Sequence, residues 1–120
     1  MAHEGVFATS AECIFKMGNG YDSTNVDEDR INELCKQIEG FCCSLARYDF
    51  VTNWASLDDY AKYLLSEIES NYVGFFGAGY KADGYGSQRE QENIININWA
   101  RFVQCIGLLK DQNTVTFIKS

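Results

Sequence analysis

Histidine, cysteine and paired carboxylates are the side chains from which this chain would have to assemble an active site, and their spacing argues against one. His3 is the single histidine. A Ser–His–Asp or Cys–His nucleophile would need it as the base, and so close to the N-terminus it is expected to fray. Cys13, Cys35, Cys42, Cys43 and Cys105 are odd in number and include no C-x-x-C pair, so the ligand spacing of a zinc site is missing. They read as buried free thiols of a reducing compartment. Asp27-Glu28-Asp29 lacks the alternating ligands and central glycine of an EF-hand loop, and reads as the acidic first turn of a helix. Gly77-Ala78-Gly79 begins like a nucleotide loop, but position 82 is alanine and a helix rather than a strand precedes it. The run from Gly77 to Gly86 reads instead as a flexible hairpin. Asp58/Asp59 and Glu67/Glu69 have the types for acid–base work. On an amphipathic helix such neighbours are solvated, and Lys62 stands at the i,i+4 spacing that pairs with Asp58. No catalytic residue, metal ligand or cofactor site is assigned, and the chain is expected not to be an enzyme.

The same residues are placed by three segments with a helical period. About 27–47 carries Ile31, Leu34, Cys35, Ile38, Phe41, Cys42 and Leu45 at spacings of three and four, one stripe of a helix. Thr24 or Asn25 is its expected cap, and Arg47 falls in its last turn. About 57–76 carries Leu57, Ala61, Leu64, Leu65, Ile68, Tyr72, Phe75 and Phe76, with Ser56 and Asp59 spaced as a capping box. Gly74, Gly77 and Gly79 are expected to weaken and end it. About 87–110 opens on Ser87 and Glu90, again a capping-box spacing, and its face reads Ile95, Trp99, Phe102, Ile106 and Leu109. Ile94, Ile97 and Leu108 lie beside that face, a wider apolar sector than a bundle helix needs. A short helix over about 9–17 would pack Cys13, Ile14 and Met17 inward. Thr114-Val115-Thr116-Phe117-Ile118 alternates and is β-branched, the pattern of a short strand that wants a partner edge.

The expected fold is therefore all-α: a three-helix bundle over 1–112 with a short N-terminal helix, followed by a C-terminal extended segment over 113–120. The length, 120 residues, suits one domain, and the absence of proline leaves long helices uninterrupted. A net charge of −7 argues against general affinity for nucleic acid, and no Lys/Arg-rich stretch is present to anchor the chain on an anionic membrane. No apolar run reaches the roughly 18 residues of a membrane span, and the opening Met-Ala-His-Glu-Gly does not look like a signal peptide. Aromatics concentrate outside the stripes: Tyr48, Phe50 and Trp54 in one connection, Tyr60 and Tyr63 off the second face, Tyr80 and Tyr85 in the Gly-rich loop. Such clusters either cover bundle ends or mark protein interfaces.

The run Asp27-Glu-Asp-Arg-Ile-Asn-Glu-Leu-Cys-Lys-Gln-Ile-Glu-Gly-Phe through Leu45-Ala-Arg-Tyr-Asp-Phe50 resembles the head–tail connector proteins of tailed bacteriophages, also called adaptor or head-completion proteins. Leu57-Asp-Asp-Tyr-Ala-Lys-Tyr-Leu-Leu-Ser-Glu-Ile, Ser87-Gln-Arg-Glu-Gln-Glu-Asn-Ile-Ile and Leu109-Lys-Asp-Gln-Asn-Thr-Val-Thr-Phe-Ile118 extend the likeness over about 9–118. The resemblance implies a virion structural protein, assembled in the host cytoplasm. Roughly a dozen copies would form a homo-oligomeric ring around the DNA channel, between the portal protein and the next neck or tail component. DNA passing through the channel would be near but not specifically bound. On that reading Thr114, Val115, Thr116, Phe117 and Ile118 bind the portal, and Ile94, Ile97, Leu108, Tyr80 and Tyr85 meet ring neighbours. Two further expectations stand beside it. One is another capsid- or tail-completion protein; the other is a small cytoplasmic regulatory or ligand-binding helical domain with a pocket among Trp54, Trp99 and the tyrosines.

Overall fold

A computed structural model describes residues 3–18, 26–79 and 88–110, with side chains from 91 onward in the last stretch. Four α-helices follow in order: α1 (Ser10–Met17), α2 (Glu28–Ala46), α3 (Asp59–Ala78) and α4 (Gln88–Lys110), with a 3-10 turn at Trp54–Ser56 before α3. No strand occurs among the described residues. The strand reading of Thr114–Ile118 and the loop tyrosines Tyr80 and Tyr85 lie outside the described residues, as does the Ser87 cap.

The helix ends differ from the sequence expectation in instructive ways. Asp27, not Thr24 or Asn25, caps α2, its carboxylate accepting from Arg30 N at 3.0 Å; Glu28 and Asp29 then form the acidic first turn. Arg47 is not in the helix: it is the residue after it, in left-handed backbone with φ 53°. Asp58 rather than Ser56 caps α3, accepting from Tyr60 N at 2.9 Å, because Ser56 is held in the 3-10 turn and donates to the Asn53 carbonyl at 2.9 Å. With Asp58 so employed, Lys62 does not follow the expected ion pair but stands over the Trp54 ring, 5.9 Å from its centroid. Thr9 and Glu12 make a reciprocal capping box on α1.

The largest correction concerns α3. Gly79 caps it as expected, but Gly74 and Gly77 do not end it: the helix runs through both to Ala78. They are contact points for α1. A β-carbon on Gly77 would collide with the Met17 sulfur, and one on Gly74 would come within 2.6 Å of Lys16 Cβ. Glycine in a helix interior costs roughly 1 kcal/mol against alanine, and here that cost is offset by seating α1 directly on the α3 backbone. The short helix is thus a fourth member of the bundle, and α3, which packs against the other three, is its spine.

The core divides in two. One cluster joins Phe7, Phe50 and Leu57 to Ile38 and Cys42 of α2, Leu65 and Ile68 of α3, and Phe102, Ile106 and Leu109 of α4. The other gathers Ala8, Cys13 and Met17 with Ile31, Leu34, Cys35 and Val73. The N-terminal segment passes between them, Phe7 belonging to the first and Ala8 to the second. The Tyr48, Phe50 and Trp54 group serves this core: Tyr48 packs on buried Phe50 at 5.2 Å, and Trp54 stacks on Phe7 at 5.3 Å. No described helix is long and apolar enough to cross a membrane.

Candidate partner interface

Two places in the fold concentrate side chains that a folded monomer does not explain by its apolar core alone: a buried carboxyl pair, and the two flanks of α4.

The carboxyl pair belongs to Glu39 of α2 and Glu69 of α3, both buried. Residues 3–9 have no regular hydrogen-bonding partner of their own, so their backbone donors need acceptors. Glu39 Oε2 accepts from Val6 N at 2.7 Å and Phe7 N at 3.4 Å, and Glu69 Oε2 accepts from Ala8 N at 2.6 Å. Asn32 Oδ1 accepts from Glu4 N at 2.8 Å. Burial, together with the Glu39 carboxyl next to it, pushes Glu69 up to about 11, so Glu69 is neutral at physiological pH. Its other oxygen, Oε1, has no hydrogen-bond partner. His3 is far from frayed: Nδ1 lies 2.6 Å from Glu28 Oε1 and Nε2 lies 2.7 Å from the Ala8 carbonyl. The reason is a local network invisible to periodicity, in which Glu28 also accepts from Ser10 Oγ at 2.7 Å. The thiols of Cys35 and Cys42 are pushed up, Cys35 by its contact with Cys13 and by burial, Cys42 by burial and then by Cys43. No group of three or more potential metal ligands occurs among the described residues. The carboxyl pair is a structural clamp on the N-terminal segment.

The flanks of α4 are different, because they are open. Its buried stripe is Gln91, Asn98, Phe102, Cys105, Ile106 and Leu109, rotated from the expected face. Asn98 takes the inward position expected of Trp99, because its amide donates to the Lys16 carbonyl at the end of α1 at 2.8 Å. Trp99 is left at the edge, 45% exposed. On one side of the stripe stand Ile94, half-buried, and Ile97 and Leu108, exposed at 67% and 51%. On the other stand Trp99 and Val103, the latter 50% exposed. The widened apolar sector read from the sequence is thereby divided into two separate surfaces.

The first flank is extended by neighbours. A cleft of about 450 Å³ lies between Phe15 and Lys16 of α1, Glu67 and Asn71 of α3, and Ile94, Ile97, Asn98 and Arg101 of α4. A second of about 470 Å³ is lined by Tyr63, Leu64, Gln104, Cys105 and Leu108, and shares Glu67 and Arg101 with the first. Phe15 is 81% exposed, a position periodicity had left unremarked. Glu67 sits at the centre, taking Lys16 Nζ at 3.2 Å, Arg101 Nε at 3.2 Å and Asn71 Nδ2 at 3.0 Å. Burial works against its charge, but Arg101, Lys16 and Asn71 outweigh it and hold Glu67 below the usual carboxylate range. The adjacent-carboxylate reading of Glu67/Glu69 is thus resolved into two unrelated roles: one residue is charged at a surface network, the other neutral in the core.

The second flank is an aromatic groove of about 380 Å³ between α2, α3 and α4, lined by Gln37, Ile38, Phe41, Tyr72, Phe76, Trp99 and Phe102. None of these residues is charged. Phe41 was expected inward on α2, but the face of that helix is turned toward Asn32 and Glu39 by the N-terminal segment, and Phe41 is exposed. Trp54 stacks on Phe7, whereas Trp99 lines the aromatic groove beside Tyr72.

Comparison with models of known protein families, with curated proteins and with solved structures found no match to this chain.

Proposed function

We propose that the chain is a structural subunit of a virion, a head–tail adaptor that assembles into a ring between the portal and the next neck component. The observation that carries this reading is the pair of dissimilar apolar flanks on opposite sides of the α4 stripe. A ring is built from heterologous contacts, in which each subunit offers two different surfaces to its two neighbours. Ile94, Ile97, Leu108, Phe15 and Tyr63 supply one, and Trp99, Val103, Phe76 and Phe41 the other. The Lys16–Glu67–Arg101 network gives the first surface a polar centre that can fix register. The resemblance in the helical segments supports the same class of protein, and the net charge of −7 suits a channel wall past which DNA moves without adhering. Thr114–Ile118 remains the segment proposed to reach the portal.

The test is assembly of the purified protein, alone and with the portal of its own particle, viewed by negative-stain electron microscopy. Rings on their own or seated on the portal are expected. Ile97→Glu combined with Leu108→Glu, at exposed sites where substitution alters stability by no more than about 0.5 kcal/mol, should keep the helical circular dichroism and abolish the rings. Wild-type protein that neither forms rings nor joins the portal would reject the adaptor reading.

A further inference from the structure

The five thiols of this fold are buried or half-buried, and two of them meet across a pair of helices. Cys13 of α1 and Cys35 of α2 are both fully enclosed in the second core cluster, and the Cys35 thiol is hydrogen-bonded to Cys13. We propose that Cys13 and Cys35 are a site of reversible disulfide formation, oxidised by a small-molecule disulfide such as oxidised glutathione when residues 3–6 lift from the surface.

Three observations carry the assignment. The first is pairing. Cys42 and Cys105 sit in the other cluster, and the Cys105 thiol responds to burial and to the charges of Arg101, Glu67 and Lys16 rather than to another sulfur. Cys42 and Cys43 are consecutive on one helix, where neighbouring side chains diverge. Cys13 and Cys35 come from different helices and already touch, so they need a short approach to reach the roughly 2.05 Å of an S–S bond.

The second is the cover. Gly5 lies directly over Cys35: a β-carbon there would stand 2.8 Å from Cys35 Sγ. Gly5 is itself partly exposed, so a single layer of backbone separates the sulfur from solvent. The third is how that cover is held. Glu4 N donates to Asn32 Oδ1 and Val6 N to Glu39 Oε2, which are side-chain acceptors and not the ladder of a helix or sheet. A terminal segment held in this way opens locally, at a lower free energy than global unfolding.

While the segment is closed, the hydrogen bond to Cys13 and burial keep the proton on Cys35, and the thiol is not the nucleophilic form. Once it lifts, Cys35 gives its proton to water and the thiolate attacks one sulfur of the small disulfide. That forms a mixed disulfide and expels the other half as a thiolate, which takes up a proton. Cys13 then loses its proton and attacks Cys35 Sγ, forming the S–S bond and expelling the second small thiol. Two electrons pass from the protein thiols to the small disulfide, and its two products carry the two protons. The bond ties α1 to α2, and so fixes the helix that carries Phe15 and Lys16. None of this depends on what the protein assembles into.

The experiment incubates the reduced full-length protein with millimolar oxidised glutathione at pH 8, then alkylates it in denaturant and digests it without reduction. Mass spectrometry is expected to find a Cys13–Cys35 linked peptide, with Cys42 and Cys105 alkylated. Cys13→Ala should arrest the reaction as a glutathione adduct on Cys35. Gly5→Ala, which crowds Cys35 Sγ and the His3 ring, should form the bond several-fold faster with the helical circular dichroism unchanged. Asn32→Ala, which removes the acceptor for Glu4 N, makes the same test should Gly5→Ala fail to fold. The absence of the linked peptide from every one of these proteins that keeps both cysteines would overturn the proposal, as would linkage only at urea concentrations that unfold the helices. Scrambled pairs among all five cysteines would overturn it too, because they mark oxidation of unfolded chains.

Discussion

At the scale of single residues the fold turns on positions where a small or protonated group replaces what periodicity would place there. Gly77 is one. Its missing β-carbon is the space occupied by the Met17 side chain, whereas nothing lies within 4 Å of where a β-carbon on Gly40 of α2 would stand. Gly77→Ala should therefore destabilise by about 1–3 kcal/mol through overpacking, and Gly40→Ala should stabilise by roughly 0.5–1 kcal/mol through helix propensity. Urea unfolding of the two variants checks this contrast, and equal effects would mean that α1 does not sit on α3 as described. Glu69 is the other. Its carboxyl keeps its proton in the fold up to about 11, against an ordinary value of 4.5. A raised pKa in the folded state stabilises fully at pH values below the unfolded pKa. The contribution is then lost progressively as the pH climbs from about 4.5 toward 11, because the unfolded chain ionises first. The slope is at most about 1.4 kcal/mol per pH unit. Glu69→Gln preserves the acceptor for Ala8 N and has no proton to lose. Near pH 5 it should match the parent to within about 1 kcal/mol, and by pH 8 it should be the more stable of the two. A difference that stays constant from pH 5 to pH 8 would show that Glu69 is ionised inside the fold.

At the scale of elements, what the sequence discloses is what recurs at intervals of three and four. The α2, α3 and α4 segments, their order and the excess apolar width of α4 all follow from that recurrence, and so does the existence of α1. Its importance does not. The notch made by Gly74 and Gly77 looks like a pair of helix breakers until Met17 and Lys16 are seen against it, since close backbone approach is a tertiary property with no local signature. The same blindness affects residues 3–9. They contain no helical period, yet Glu39 and Glu69 supply their backbone acceptors and Phe7 enters the core. A buried glutamate on a helix otherwise reads as a solvated one. The rotation of the α2 face toward Asn32 and Glu39, which leaves Phe41 outside, is a consequence of this segment. For the candidate interface, Ile97 and Leu108 were legible as surplus; Phe15 and the Lys16–Glu67–Arg101 network were not, because they come from three different helices. Removing residues 1–8 should therefore cost far more than trimming a frayed end. It opens the space filled by Phe7 and strands two buried carboxyl groups, each loss being worth roughly 1–4 kcal/mol. The expected outcome is a fall in the thermal midpoint well beyond 10 °C, since about 1 kcal/mol moves a domain of this size by roughly 4 °C. A midpoint within a few degrees of the parent would mean the segment is not clamped.

At the scale of the whole molecule, the balance is between apolar flanks that favour contact and a net charge of −7 that opposes it. Copies brought together in a ring place like charges near one another, and this repulsion acts through solvent over a distance set by salt, about 14 Å at 50 mM and about 4 Å at 500 mM. In the proposed ring, the attraction between Ile97, Leu108 and Phe15 on one subunit and Trp99, Val103 and Phe76 on the next would be short-ranged and, being hydrophobic, would not weaken with added salt. Raising the salt should therefore shift the equilibrium toward larger species. Sedimentation velocity at 50 and 500 mM sodium chloride, with protein concentration and pH held fixed, is expected to show a greater fraction of oligomer at the higher salt, and a rise in thermal midpoint with protein concentration only where that oligomer forms. An interface built mainly on ion pairs such as those around Glu67 would do the opposite and come apart at 500 mM. That result would move the contact surface away from the apolar flanks and onto the charged centre between them.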